Sequence, residues 1–275
     1  MTQGPPPPEN LVIYEVEGVP GRSAVSGLGP GYLGLWEEGG YTFFFFDREA
    51  GEAWDRFLAE RTGLRLRTVH RMKYEQWQDG ARFEPFEVGP LAIVPAWEAS
   101  NPWPGRLLIR LDPGLAFGFG GHFTTRSCLE ALIRVYRADR PAVVLDLGAG
   151  TGVLALAAAR LGAERAVAVE SSQIATETAA RNVALNGLEE KIEVVHGRAE
   201  EHLNHAADLV LANLHFAAQS AILEAGGYDH RRWLILSGLF HEQAALLEQG
   251  LVGRGYRLED LNRDPRWATL LFRAV

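Results

Sequence analysis

A single cysteine, Cys128, stands among 275 residues. It has no partner for an internal disulfide and no companions for a cysteine-based zinc site; such usage fits a reducing, cytoplasmic setting, and no metal site is expected. No apolar run approaches the ~18 residues needed to cross a bilayer, so no membrane partner is expected. The opening MTQGPPPPEN has neither the basic nor the apolar segment of a secretory signal. Positive charge is also short: 27 Lys and Arg against 35 Asp and Glu give a net charge of −8. With no broad basic stripe, tight generic nucleic-acid binding is excluded as an expectation. The acidity fits plain solubility or a basic protein partner.

What the chain does have is an ordinary globular composition, 47% hydrophobic and 23% charged, enough for one large or two modest domains. Its organising stretch is Val143–Leu161, VVLDLGAGTGVLALAAARL. The apolar run Val143, Val144, Leu145 and Leu147 predicts a parallel strand covered on both faces. Gly148, Gly150 and Gly152 permit a tight turn and a close backbone approach. Ala155–Leu161 is strongly helix-forming, and Gly162 ends it. The free N–H groups at that helix start would face a ligand over the turn.

Such turns serve several cofactors, and spacing separates them. The dinucleotide fingerprint is G-x-G-x-x-G, whereas here the spacing is G-x-G-x-G and position 153 is Val. Asp146 sits two residues before the first glycine, and a second strand, Ala166–Val169, ends in Glu170. A carboxylate at that tip accepts from both hydroxyls of a ribose diol. Together these features favour S-adenosylmethionine over NAD, and hence a methyltransferase releasing S-adenosylhomocysteine.

Along the chain, residues 1–10 read as a disordered or polyproline lead-in. Leu11–Val16 is strand-like, and Gly18–Gly31 reads as loop. Tyr32–Glu37 and Tyr41–Phe46 form a hairpin about Gly39-Gly40. The aromatic run Phe43–Phe46 requires cover on at least one face. Glu52–Arg61 reads as a short amphipathic helix and Leu64–His70 as a strand. Tyr74–Trp97 reads as an irregular aromatic connector with a short strand at Leu91–Val94. The segment Leu111–Thr125, LDPGLAFGFGGHFTT, is either a lid over the cofactor or a glycine loop with a helix cap. Its helix is placed near Ser127, with Thr124 or Thr125 as N-cap. Helices are predicted at Gln173–Leu185 and His241–Arg254. Strands are predicted at Lys191–His196, Asp208–Leu214, Trp233–Ser237, Tyr256–Leu258 and Ala268–Arg273. Asn213 falls at a carboxyl strand tip, where ligands sit in open α/β sheets. The alternation predicts a mostly parallel sheet with helices on both faces.

These residues resemble the PrmA family, the methyltransferases of ribosomal protein L11. The resemblance rests on the lid PGLAFGFGGHFTT, the turn VLDLGAGTGVLALAA, the tip ANL and the closing SGLFHEQ. It rests also on Trp77, Phe83, Pro85, Gly89, Pro95 and Trp97 of the connector. It runs from about Tyr74 to the C-terminus. It implies a Rossmann-like, seven-stranded class I methyltransferase domain at 105–275, a connector at 74–104, and a small α+β substrate-docking domain at 1–73. It also implies cofactor contacts at Thr125, Gly148, Glu170 and Asn213. Gly150, Gly152, Asp146, Phe117 and Gly118 complete the expected cofactor set. The implied substrate is a protein amine, in the first instance a ribosomal protein.

The chain departs from the family pattern in several places. Phe119 replaces the first threonine of the family lid FGTG-x-H-x-TT, Phe123 replaces a small residue or proline, and Glu170 replaces the usual Asp. His215-Phe216 stand where relatives are more aliphatic, and Gly18–Gly31 where they have a helix.

Methyl transfer from a sulfonium needs alignment more than acid–base help, although an amine acceptor must first lose its proton. Asn213 is the expected orienting residue. His122 is expected to accept a proton or to hold the lid. Phe119, Phe123 and Phe216 are candidate walls of the acceptor pocket. Two other readings stay open: the same chemistry on another lysine-bearing protein, and a non-catalytic S-adenosylmethionine-binding module with Phe119 and Phe123 filling the pocket.

Overall fold

The computed structural model describes residues 6–20, 28–77 and 82–275, with only the backbone described for Glu38. The first half of the proline-rich lead-in, the middle of the glycine-rich segment (21–27) and part of the connector (78–81) lie outside the described residues. The chain forms two compact units, one of Phe83–Ser171 and Ala175–Val275, the other of Pro6–Arg82 and Ser172–Ile174.

The smaller unit is an antiparallel sheet with one covering helix. Its strands are β1 (Asn10–Glu17), β2 (Tyr32–Glu38), β3 (Tyr41–Phe46) and β4 (Arg65–Lys73), in the order β2-β3-β1-β4. Helix α1 (Gly51–Ala59) follows the hairpin, and a short helix α2 (Tyr74–Trp77) follows β4. Strand alternation divides the aromatic run between two faces. Phe44 and Phe46 turn to α1 and pack on Trp54, with Tyr14 stacked on the same indole at 4.2 Å. Phe45 faces the other way and meets Trp77 at 4.9 Å.

The larger unit begins with a three-stranded sheet of β5 (Phe86–Val88), β6 (Leu91–Pro95) and β7 (Leu107–Leu111). The connector is thus more regular than its proline-studded sequence indicated, and β7 has no counterpart in the sequence reading. Only Ile109 and Leu111 of β7 are buried, so its alternation is too short to stand out.

After β7 come α3 (Phe123–Ala138), β8 (Val143–Leu147), α4 (Val153–Leu161), β9 (Arg165–Glu170), α5 (Gln173–Leu185), β10 (Ile192–His196) and β11 (Leu209–Asn213). Then follow α6 (Phe216–Glu224), β12 (Trp233–Phe240), α7 (His241–Val252), β13 (Tyr256–Arg263) and β14 (Trp267–Ala274). The main sheet has seven strands in the order β10-β9-β8-β11-β12-β14-β13. The first five are parallel, and β14 runs antiparallel to both of its neighbours. Val144–Leu147, Ala166–Val169 and Leu209–Ala212 are all buried, as strands covered on both faces should be.

Helix α3 starts at Phe123, four residues ahead of the sequence placement, and its N-cap is His122 rather than either threonine. The Thr124 N–H donates to His122 Nδ1, while both threonines are buried inside the first turn. Helix α6 was not read from the sequence; its N-cap His215 makes no side-chain cap bond, so the usual start signal is missing.

Two asparagines, Asn182 on α5 and Asn186 just past its end, fasten the root of the 111–125 segment. Asn186 bonds both backbone groups of Arg110, and Asn182 accepts from the Asp112 N–H and donates to the carbonyls of Asp112 and Thr151. Asn182 is fully buried. Asn182→Ala strands these buried groups, and a loss of about 2–4 kcal/mol in unfolding free energy is expected. Urea denaturation of the parent and variant measures it, and an unchanged midpoint contradicts the bridging role.

Candidate active site

The site forms where adjacent strands stop together. Leu147 pairs with Val169 on one side and with Ala212 on the other. Gly148, Glu170 and Asn213 therefore leave three neighbouring strands at one level. From β8 the strand order runs outward both ways, and open α/β sheets bind ligands at the carboxyl end of such a switch point.

Gly148, Gly150 and Gly152 carry φ angles of 74°, 55° and 80°. Their backbone is tied to β9: the N–H groups of Gly148 and Ala149 donate to the Val169 carbonyl, and that of Gly150 donates to Glu170 Oε2 at 2.9 Å. Asp146 lies behind the turn, 1% exposed, with Oδ2 accepting the Ala155 N–H at 3.1 Å. Burial pushes its carboxyl up to about 7, against the pull of the Ala155 N–H and with a further push from the Glu170 carboxylate.

That shift has a sign for stability. A carboxyl raised on folding stabilises the native state fully below about pH 4, and the contribution is lost as pH rises through about 7. Asp146→Asn removes the titration and keeps an acceptor for Ala155. The stability of the variant relative to the parent is expected to rise by about 2–3 kcal/mol between pH 5 and pH 8. Urea unfolding at the two pH values checks it; a constant difference means that Asp146 titrates normally.

The 111–125 segment crosses the turn. The Phe117 carbonyl accepts the Thr151 N–H at 3.0 Å, and the Gly118 carbonyl accepts the Thr151 hydroxyl at 2.8 Å. Further along, Thr124 Oγ1 lies 2.8 Å from His122 Nδ1 and accepts from Asn213 Nδ2 at 3.3 Å. Because Nδ1 accepts the Thr124 N–H, it carries no proton, so the threonine hydroxyl donates to it and the imidazole proton is on Nε2. Lid, α3 and β11 are thus joined through three side chains. Asn213 Oδ1 lies toward Gly238, where an added Cβ would stand 3.2 Å from it and 2.6 Å from the Leu214 carbonyl oxygen. Gln219, fully buried, sets the turn after β11 by donating to the carbonyls of Leu214 and Ser237.

All nine residues expected from the sequence at the cofactor thus lie on the turn, the adjoining strands, the lid or the start of α3. Sequence reading missed Thr124, Thr151 and Gln219. The first two stand inside motifs already marked, in the TT of the lid and between two glycines of the turn. Gln219 lies on the unread α6, where no signal marked it. Two of the expected pocket walls face elsewhere. Phe119 is 6% exposed with its ring 5.1 Å from Phe83, and Phe216 packs on the main core. The exposed ring of the lid is Phe117.

The residues fit a polar ligand. Thr125 Oγ1, Ser127 Oγ and Asp146 Oδ1 are buried side-chain atoms with no hydrogen-bond partner among the described residues. Such groups are costly unless something pairs with them. Beside them, the glycine cradle leaves no room for a Cβ at Gly150, which lies against the Phe117 carbonyl.

Comparison with known proteins decides the family. The model of the family described as ribosomal protein L11 methyltransferase (PrmA) matches residues 36–274. The chain belongs to the PrmA family. The ribosomal protein L11 methyltransferase of Pelobacter propionicus is 37% identical over 237 residues, covering 80% of this chain and 74% of the relative. That of Geobacter sulfurreducens is 40% identical over 216 residues, 75% of this chain and 69% of the relative. The crystal structure of the ribosomal protein L11 methylase from Lactobacillus delbrueckii subsp. bulgaricus superposes with a TM-score of 0.59 at 30% identity, covering 70% of this chain and 99% of that one.

As a PrmA member the chain is a methyltransferase, and its larger unit has the Rossmann-like fold expected. PrmA membership also implies use of S-adenosylmethionine. Among the described residues no helix is long and apolar enough to cross a membrane.

Proposed function

We propose that the protein methylates amino groups of ribosomal protein L11, on lysine side chains, the N-terminus or both, with S-adenosylmethionine as donor. The observation that carries this reading is the pairing of two oxygen acceptors, Asn213 Oδ1 and the Leu214 carbonyl, against Gly238 at the tip of β11. The Leu214 carbonyl already takes the Gln219 amide on one lone pair; Asn213 Oδ1 and the second lone pair of that carbonyl suit a group that arrives with N–H bonds to give. When bound, S-adenosylmethionine supplies a methyl group on a sulfonium, open to direct displacement.

The chain's own residues do the rest. Gly148, Gly150 and Gly152 receive the donor closely, Glu170 accepts from its ribose, and Asp146, Thr125 and the lid residues Phe117 and Gly118 complete the enclosure. Asn213 and the Leu214 carbonyl take the N–H groups of a neutral amine, which turns its lone pair away from them. An amine packed against the Phe117 ring loses water on that side, and desolvation favours the neutral form that can attack. His122 holds the lid, since its Nδ1 is committed to Thr124. Phe119 is packed against Phe83, which weighs against a plugged, non-catalytic pocket.

In the same reading residues 1–73 dock the protein substrate, nucleic acid is not a partner, and the protein works in the cytoplasm. Mass spectrometry of unmethylated L11 after incubation with enzyme and donor tests the acceptor. Methyl increments mapping to lysine Nζ or the α-amine are expected. Modification confined to other side chains, or none, contradicts the reading.

A further inference from the structure

Four rings stand in an unbroken row along the larger unit. Phe117 meets His122 at 5.4 Å, His122 meets Trp267 at 5.3 Å, and Trp267 stacks on Phe240 at 4.8 Å and 27°. The row starts on the lid, passes the imidazole bonded through Thr124 to Asn213, and ends where β12 meets the β13–β14 hairpin. The other described phenylalanine, tyrosine and tryptophan residues of this unit are buried or half-buried, whereas Phe117 is 49% and Phe240 39% exposed. The half-buried His122 and Trp267 join these two exposed rings into one continuous row, and contiguous exposed apolar surface, unlike single scattered residues, marks interaction sites.

One cation already lies on the far end of the row. The Arg266 guanidinium carbon is 5.2 Å from the ring centroids of both Phe240 and Trp267, within the range of cation–π attraction. The turn that carries it is set by Asp264, whose Oδ1 accepts the N–H groups of Arg266 and Trp267 at 2.8 and 2.6 Å. Burial opposes ionisation of Asp264, but the N–H groups of Trp267 and Arg266, together with the nearby His122 and His241 imidazoles, hold the carboxyl below its usual range. The hairpin tip therefore carries a fixed negative charge beside the rings. The ring faces and the Asp264 charge both favour a cation at this position.

We infer that Phe240 and Trp267 form a specificity subsite for a basic side chain of the acceptor protein, a lysine or arginine near the methylated amine, and that Arg266 fills this subsite until the acceptor displaces it. The inference rests on the amine-acceptor reading of the Asn213 site. It gives an acidic protein a local means of choosing among basic segments.

The test separates binding from turnover. In protein labelled with 5-fluorotryptophan, the Trp267 resonance is the one absent from Trp267→Phe. Titration with Nα-acetyl-lysine amide is expected to move it, whereas Nα-acetyl-norleucine amide, which has no charge, leaves it in place. Arg266→Ala is expected to bring the shift to lower lysine concentration, and Phe240→Leu to weaken it. In methyl transfer to L11, Arg266→Ala is expected to lower KM for the acceptor and Phe240→Leu to raise it, each about threefold to fivefold, with donor affinity by calorimetry unchanged.

A Trp267 signal that ignores lysine or answers norleucine equally overturns the subsite. So does an unchanged acceptor KM in both variants alongside an active parent. If L11 is not labelled at all but the lysine-specific shift persists, the L11 assignment fails and the subsite stands.

Discussion

Gly150→Val is expected to abolish measurable binding of S-adenosylmethionine, a loss of at least about 100-fold, while the fold persists. Gly150 has φ +55°, and a Cβ there would run into the Phe117 carbonyl oxygen, which is backbone and cannot swing aside. A non-glycine residue in the left-handed region costs about 1–2 kcal/mol, and a β-branched one more. The larger effect is positional. The Gly150 N–H donates to Glu170, and the neighbouring Thr151 N–H donates to the same Phe117 carbonyl. A side chain at 150 therefore separates the lid from the turn and shifts Glu170 together. Gly148→Ala is expected to be milder, about tenfold, because its Cβ meets only the far end of the Leu214 side chain. Calorimetric titration of the donor, with circular dichroism as the fold check, measures both. Near-parental affinity in Gly150→Val contradicts the cradle.

Asn213→Ala is expected to lower kcat by about 100-fold to 1,000-fold with donor affinity changed by less than about threefold. The amide has two ends with separate duties. Nδ2 is bonded to Thr124, and Oδ1 lies beside the Leu214 carbonyl over Gly238. Alanine leaves the turn glycines and Glu170 untouched, so the donor still binds. The acceptor loses one of two oxygens that orient it, and Thr124 loses the donor that fixes its hydroxyl toward His122. Asn213→Asp keeps the oxygen but adds a charge that favours the protonated amine, so its activity is expected to recover more at high pH than that of Asn213→Ala. Steady-state kinetics with saturating donor, at pH 7 and pH 9, separates these outcomes. A change confined to donor affinity contradicts the acceptor-side role.

Much of this architecture was legible in the sequence because it depends on local rules. Val143–Leu161 reads correctly as strand, turn and helix, since buried parallel strands are continuously apolar and Gly162 stops a helix as few residues do. Gln173–Leu185 matches its helix end to end. What escaped depends on distant partners. His122 caps α3 because Thr124 turns inward to meet Asn213, a contact across 89 positions of sequence. Strand β7 is fastened by Asn186, 76 positions away, and nothing in Leu107–Leu111 announces that. Phe119 was read as a pocket wall on its place in the lid, but its ring belongs to Phe83. The residue types of the site were visible, while the direction each side chain faces was not.

The most direct measurement is single-turnover transfer of a tritiated methyl group from S-adenosylmethionine into purified, unmethylated ribosomal protein L11, with Gly150→Val and Asn213→Ala beside the parent. The expected result is label in L11 with the parent, none with Gly150→Val, and slow labelling at normal donor affinity with Asn213→Ala. A parent that binds the donor but leaves L11 unlabelled, or a Gly150→Val protein that labels it at the parental rate, would contradict the assignment.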